Sequence, residues 1–147
     1  MAEANYVETF NCSPQELFDI IKDYEKYPEF LKEVKSCKVI EDKGTEKIVE
    51  YQISVVKDFS YTNQQFEKAP NQLHWKFMKG DLFKSMEGGW KLEEVAGKNG
   101  QQTKATYIIR AEFSMFVPGF MVKTVLSANL PAMMKAYQQR VKEIYGK

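Results

Sequence analysis

The chain has 147 residues, 44% of them hydrophobic and 14% aromatic, which suits one domain over 1–147 with one sizeable core and argues against disorder. Its 21 basic and 20 acidic side chains leave a net charge of +1, so there is no electrostatic case for a nucleic-acid partner. One histidine and two cysteines outside any C-x-x-C unit argue against a zinc site, and the lack of a signal-like N-terminus or a long apolar run leads us to expect a cytoplasmic protein with no integral membrane segment.

The first stretch, "NYVETF", alternates weakly and is expected to be a strand. "CSPQELFDIIKDYEKYPEFL" then opens with Ser13 as N-cap, Pro14 at the first helical position and Glu16 three residues after the cap, which is a capping box. Leu17, Phe18, Ile20, Ile21 and Tyr24 form its apolar face. Pro28 is expected to end this helix or to separate it from a short second one, "EFLKEV".

Strand-like runs follow. "KSCKVIED" leads to a turn at Asp42–Gly44, and "KIVEYQISVV" places Val49, Tyr51, Ile53 and Val55 on one face. "FSYTNQQFEK" is expected after a tight turn near Lys57–Asp58 and stops at Pro70–Asn71. In "QLHWKFMK", Leu73, Trp75 and Phe77 face one way, while His74 and Lys76 face the other, toward solvent. Gly80–Asp81 reads as a hairpin turn, Gly88–Gly89 in "LFKSMEGGWKLEEV" as a bulge or bend, and "GKNGQQ" as a mobile turn. "TKATYIIRAEF" sets Ala105, Tyr107, Ile109, Ala111 and Phe113 on one face, with Arg110 and Glu112 opposite as a solvent-side ion pair.

Pro118–Gly119 breaks the chain before a long amphipathic helix. At 100° per residue, Val122, Leu126, Leu130, Met133, Tyr137, Val141 and Ile144 fall in one apolar sector, with Pro131 roughly opposite. A proline there bends the helix away from its ring, because the ring clashes with the carbonyl of Ser127. The apolar face becomes concave, fit to wrap a curved surface. The expected fold is therefore α+β: a curved antiparallel sheet of about six or seven strands around a long C-terminal helix, with two short helices after the first strand.

A curved sheet gripping a helix diverges from it toward one end, so inner aromatics line a gap there. We expect an apolar cavity of some hundreds of Å³ walled by Tyr51, Trp75, Phe83, Tyr107, Leu126, Leu130 and Met133. Tyr107 and Asn129 are the expected polar anchors for a ligand headgroup or carbonyl. The mouth is expected near Tyr27–Pro28 and the start of the last helix.

Three stretches carry a family resemblance. "DYEKYPEFLKEVKSCKVIE", "GDLFKSMEGGWKLEE" and "TKATYIIRAEFSMFVPGFM", in that order, resemble the polyketide cyclase/coenzyme Q-binding START-like family of the SRPBCC, or helix-grip, superfamily. The resemblance implies an apolar ligand between sheet and long helix, and it sets Asp23, Tyr27, Pro28 and Phe30 at one side of the cavity mouth. Family members include quinone-binding chaperones, aromatase/cyclases acting on polyketides, and a ribosome-association toxin. The expected function is binding or carriage of a lipid, quinone or aromatic molecule without catalysis; a polyketide aromatase/cyclase and a ribosome- or protein-interaction module stand as alternatives. Peripheral membrane contact is compatible with the carrier reading.

Chemistry finds few candidates. The lone His74 has no triad partners nearby, and Glu93 and Glu94 face opposite sides of a strand. Inside, the polar groups are Tyr51, Ser85, Tyr107, Asn129 and Tyr137, and an unassisted tyrosine is a poor base. No catalytic residue, metal or cofactor is therefore assigned.

Overall fold

The computed structural model describes residues 2–97 and 100–146. Strand β1 (Ala2–Phe10) leads to helix α1 (Pro14–Ile21) and a 3-10 helix (Tyr24–Glu29). Strands β2 (Val34–Asp42), β3 (Glu46–Val55), β4 (Lys57–Lys68), β5 (Gln72–Gly80), β6 (Phe83–Gly97) and β7 (Gly100–Phe113) follow. The chain ends in α2 (Gly119–Lys123), a π-helical turn (Thr124–Ala128) and α3 (Leu130–Tyr145). All seven strands form one curved antiparallel sheet in the order β1-β7-β6-β5-β4-β3-β2, the helix-grip arrangement. β2 to β7 run as a meander of hairpins, and β1 closes the far edge beside β7.

The start of α1 follows from its sequence. Ser13 Oγ accepts from Glu16 N at 3.1 Å, and Glu16 Oε1 accepts from Ser13 N at 3.0 Å. The second short helix lies earlier than expected. It spans Tyr24–Glu29 and contains Pro28, whereas "EFLKEV" beyond Glu29 runs through a turn into β2. A 3-10 helix this short tolerates the proline because few of its backbone N–H groups need intrahelical partners. Both cysteines are buried, Cys12 just before α1 and Cys37 on β2, and burial pushes the Cys37 thiol upward.

Two turns differ in detail from the expectation. β3 reverses into β4 at Val56, which takes φ 68, with Val55 paired to Lys57. The β5–β6 turn is Asp81–Leu82, one residue past the Gly80–Asp81 pair. The turn expected in "GKNGQQ" includes residues 98–99, which lie outside the described residues.

The glycine pair in β6 does not make a bulge: the ladders to β5 and β7 run through Gly88 and Gly89 without a shift. Gly88 is required instead by close approach. A Cβ there would lie 2.5 Å from the Ile108 carbonyl oxygen and 2.7 Å from Trp75 Cζ2. The irregularity falls at Lys84, between the Phe83 and Ser85 pairings to β7. It reverses the strand's parity, so Phe83, Met86 and Trp90 all point inward while Ser85 turns to the outer face. On that outer face Arg110 pairs across the ladder with Glu3 at 3.1 Å and Glu87 at 3.9 Å, in place of the expected Glu112.

The last helix is not a single bent rod. Pro131 sits in the first turn of α3, where a missing N–H costs nothing. The irregularity precedes it, in the π-turn, which inserts one extra residue. Its mark is the spacing of the buried positions: Met121, Leu126, Leu130, Met134, Tyr137 and Val141. The step from 121 to 126 is a π period; the later steps of three and four are α. Met134, rather than Met133, therefore occupies the centre of the buried face, Met121 replaces Val122, and Ile144 is exposed. Each fully buried side chain in that stripe contributes roughly 1.5–3 kcal/mol of burial.

The C-terminal half of α3 is pinned. Tyr145 donates from its hydroxyl to the Glu16 carbonyl at 3.1 Å, and Gln138 Nε2 donates to the Thr9 carbonyl at 3.1 Å. Arg140 donates to Glu29 at 2.9 Å and stands 5.1 Å from the Phe30 ring centroid. That guanidinium holds the Glu29 carboxyl below its ordinary range. Among the described residues, the side-chain hydrogen bonds of α2 and the π-turn stay within that segment, Thr124 to the Phe120 carbonyl and Ser127 to the Lys123 carbonyl. The π-turn lies against β1, but over the central strands the sheet and helix part.

Candidate functional site: an aromatic cavity under the last helix

The parting encloses a cavity of about 140 Å³. Its floor comes from alternate residues of the central strands: Tyr51, Ile53 and Val55 of β3, Phe59, Tyr61, Asn63 and Gln65 of β4, and Leu73 and Trp75 of β5. β6 and β7 add Phe83, Met86, Trp90, Tyr107 and Ile109. The roof is Val125, Leu126, Asn129, Leu130, Met133 and Tyr137, and one end is closed by Tyr27, Leu31, Glu33 and Val34. The period-2 alternation of the strands and the helical period after the π-turn bring these residues to one place.

Of the residues singled out from sequence, Tyr27, Tyr51, Trp75, Phe83, Tyr107, Leu126, Asn129, Leu130 and Met133 all lie on this lining. Phe30 does not. It packs outside, edge-on to Tyr137 at 5.2 Å and under Arg140, because the 3-10 helix turns Tyr27 inward and leaves Phe30 on its flank. Pro28 is exposed and does not line the cavity. Among the partly exposed lining residues, Val55, Phe59, Val125, Asn129 and Met133 mark an open side between the β3–β4 turn and the π-turn. The volume is smaller than the some hundreds of Å³ expected, because ring packs on ring across the gap.

That packing gives the walls their stiffness. Tyr51 stacks on Tyr61 with centroids 4.9 Å apart, and Phe83 meets Tyr61 edge-on at 5.6 Å. Trp90 lies edge-on to Tyr107 at 5.0 Å and to Tyr137 at 5.2 Å. Burial raises the phenols of Tyr27, Tyr51, Tyr61, Tyr107 and Tyr137 above their ordinary value, so all are neutral hydroxyls at physiological pH. Tyr27 spends its proton on the Ile21 carbonyl. Asn129, the residue before α3, makes no capping bond with its side chain, so its amide is available to the cavity.

The sequence reading missed the polar part of the floor. Among the described residues, Glu33 is the only carboxylate on the lining. Asn63 and Gln65 are 3% and 1% exposed, and their oxygens Oδ1 and Oε1 have no hydrogen-bond partner among the described residues. The alternation Phe59, Tyr61, Asn63, Gln65 carried that signal, since Tyr61 lies opposite the inward Tyr51. His74 stays on the outer face, partly buried against the Phe66 ring at 4.7 Å, and burial lowers its pKa. It does not reach the cavity lining.

A START superfamily protein from Mycobacterium smegmatis superposes with a TM-score of 0.82 at 21% identity, covering 97% of this chain and 98% of that one. A protein of Thermus thermophilus gives 0.85 at 19% identity, with 98% and 99% covered. The Zhui aromatase/cyclase of a Streptomyces species gives 0.83 at 10% identity, with 99% and 97% covered. At such identities the likeness is one of fold. The family model for polyketide cyclase/dehydrase and lipid transport matches residues 11–137, which include every lining residue of the cavity. The chain belongs to the polyketide cyclase/dehydrase and lipid transport family.

Proposed function

We propose that the protein binds and carries a small ring-bearing apolar molecule in this cavity without transforming it. The observation that carries the reading is the lining itself: rings and aliphatic side chains, with every tyrosine phenol raised by burial. Hydroxyls held neutral donate to and orient a ligand; they do not abstract its protons. A space of about 140 Å³ takes one or two rings, so a longer lipid or prenylated quinone would leave its tail between Val125 and Met133 at the open side. Titration with the apolar fluorophore N-phenyl-1-naphthylamine, read through quenching of Trp75 and Trp90, tests the idea. Leu130→Trp fills the cavity and should abolish binding while the fold survives. A parent protein that takes up no apolar probe, or a variant that binds as well as the parent, defeats it.

One observation favours a second reading, polyketide aromatase/cyclase activity. Glu33 stands on the lining within electrostatic reach of Tyr61, Tyr107 and Tyr137. In that reading it removes a proton beside a substrate carbonyl while a phenol holds the carbonyl oxygen. Glu33→Gln would then stop turnover of a short poly-β-ketone while leaving probe binding intact. No turnover by the parent removes the reading.

Carriage also needs a place of exchange. Phe116 is 94% exposed with φ 71, and Met115 and Phe120 flank the entry to α2, beside the roof of the cavity. These side chains suit shallow insertion at a lipid surface. Sedimentation with phosphatidylglycerol vesicles should carry the protein down, and Phe116→Ser should reduce it; a parent that stays in the supernatant rules out the membrane.

A further inference from the structure

We infer that the cavity selects a ligand bearing hydrogen-bond donors, a ring hydroxyl above all, and that Gln65 and Asn63 are the residues that choose it. The inference rests on the ligand-carrier reading. It begins at the surface end of β4, where Lys47 Nζ donates to both oxygens of Glu67 at 2.8 and 2.9 Å and to the Gly44 carbonyl at 2.9 Å. Both side chains are largely buried, so this ion pair holds Glu67 as an acceptor only. Tyr24 therefore gives its hydroxyl proton to Glu67 Oε2, at 2.7 Å.

With that proton committed, the Tyr24 oxygen can only accept. The Gln65 side chain acts on the Tyr24 phenol as a donor does, lowering its pKa, so the Gln65 group facing Tyr24 is the amide N–H. The direction of the relay thus decides which end of the amide looks into the cavity: the carbonyl oxygen, Oε1, which has no partner among the described residues. Two residues along the same face, Asn63 Oδ1 has none either. A buried acceptor without a donor is costly, and two side by side in a native cavity call for a donor from outside the chain. The strand rise sets the two side chains about 6.6 Å apart, a span that one substituted ring bridges. An acceptor-only guest, such as an ester or an oxidised quinone, leaves both oxygens unpaired, and so does an alkane chain.

A matched pair of guests tests this. 2-Naphthol and 2-methylnaphthalene have the same ring and nearly the same size, but only the first donates. The parent protein should bind 2-naphthol at least about tenfold more tightly, since a site built around a hydroxyl rejects the analogue lacking it. Gln65→Met and Asn63→Leu should each bring the ratio toward one while still binding 2-methylnaphthalene. Equal affinities in the parent, a preference for the methyl compound, or variants that keep the parent's ratio would overturn the inference and leave the carrier reading standing. Failure of both guests to bind overturns the two together. Should Gln65→Met not fold, the parent's own ratio and Asn63→Leu decide the matter.

Discussion

Single atoms decide how closely the walls of the cavity approach. At Gly88 a methyl group would strike both the Ile108 carbonyl and the Trp75 ring. Gly88→Ala should therefore cost about 1–3 kcal/mol through overpacking, seen as a lower urea midpoint. Tyr24→Phe should cost a similar amount, about 1–3 kcal/mol, because it removes a hydroxyl donor from the buried Glu67 carboxylate. His74→Ala offers a contrast. The ring stacks on Phe66 outside the cavity, so stability should fall by about 0.5–1.5 kcal/mol while probe affinity changes less than about tenfold. A larger loss of affinity would mean that the two faces of β5 communicate.

At the scale of elements, the final helix is fastened at one end and loosened at the other. Arg140, Gln138 and Tyr145 tie α3 to the 3-10 helix, to β1 and to α1. The π-turn then offsets α2 by one residue, so that Met121 reaches the core from a different helical phase than Leu126. Deleting Ala128 should remove the extra residue and restore a continuous α period without changing the phase of α2, so Met121 stays buried; a lower melting temperature matching the loss of roughly 1.5–3 kcal/mol of apolar burial would show instead that α2 had rotated. Pro131→Ala should move stability by less than about 1 kcal/mol, because the ring already lies in the first turn. A gain of several kcal/mol would instead show a mid-helix clash relieved.

Across the whole molecule, the curved sheet closes over a core rich in phenols. Tyr24, Tyr27, Tyr51, Tyr61, Tyr107 and Tyr137 are all raised above 10.0, with burial the largest cause in each. The folded state thus holds protons that the unfolded chain releases near pH 10. Stability contributed by these groups is fully present below that pH and is lost as the pH rises above it. Denaturant titrations at a series of alkaline pH values should show a steep fall above about pH 10, accompanied by the phenolate absorbance of several tyrosines emerging together. Gradual, independent titration of those tyrosines in a still-folded protein would mean that the cavity admits solvent freely.

Much of this could be read from the chain alone, because the relevant physics is local. The capping box at Ser13 and Glu16 needs only a short local stretch, and the two-residue period places Tyr51, Trp75 and Tyr107 on inner faces. Leu126 and Leu130 follow from the helical period within one run. The missed features depend on which strand lies beside which. The shift at Lys84 turns Ser85 outward and Met86 inward, and a one-residue slip of this kind is set by the pairing with β7. Phe30 lies on the flank of the 3-10 helix that turns Tyr27 inward, and its ring packs outside beside Arg140, far along the chain. The inward polar pair Asn63 and Gln65 acquires its meaning only when Tyr24 and Lys47 arrive to orient one amide. Periodicity tells a residue which face of its own element it occupies; the volume left between faces, and the direction of a hydrogen-bond relay across them, arise from contacts between segments far apart in sequence, which no local pattern encodes.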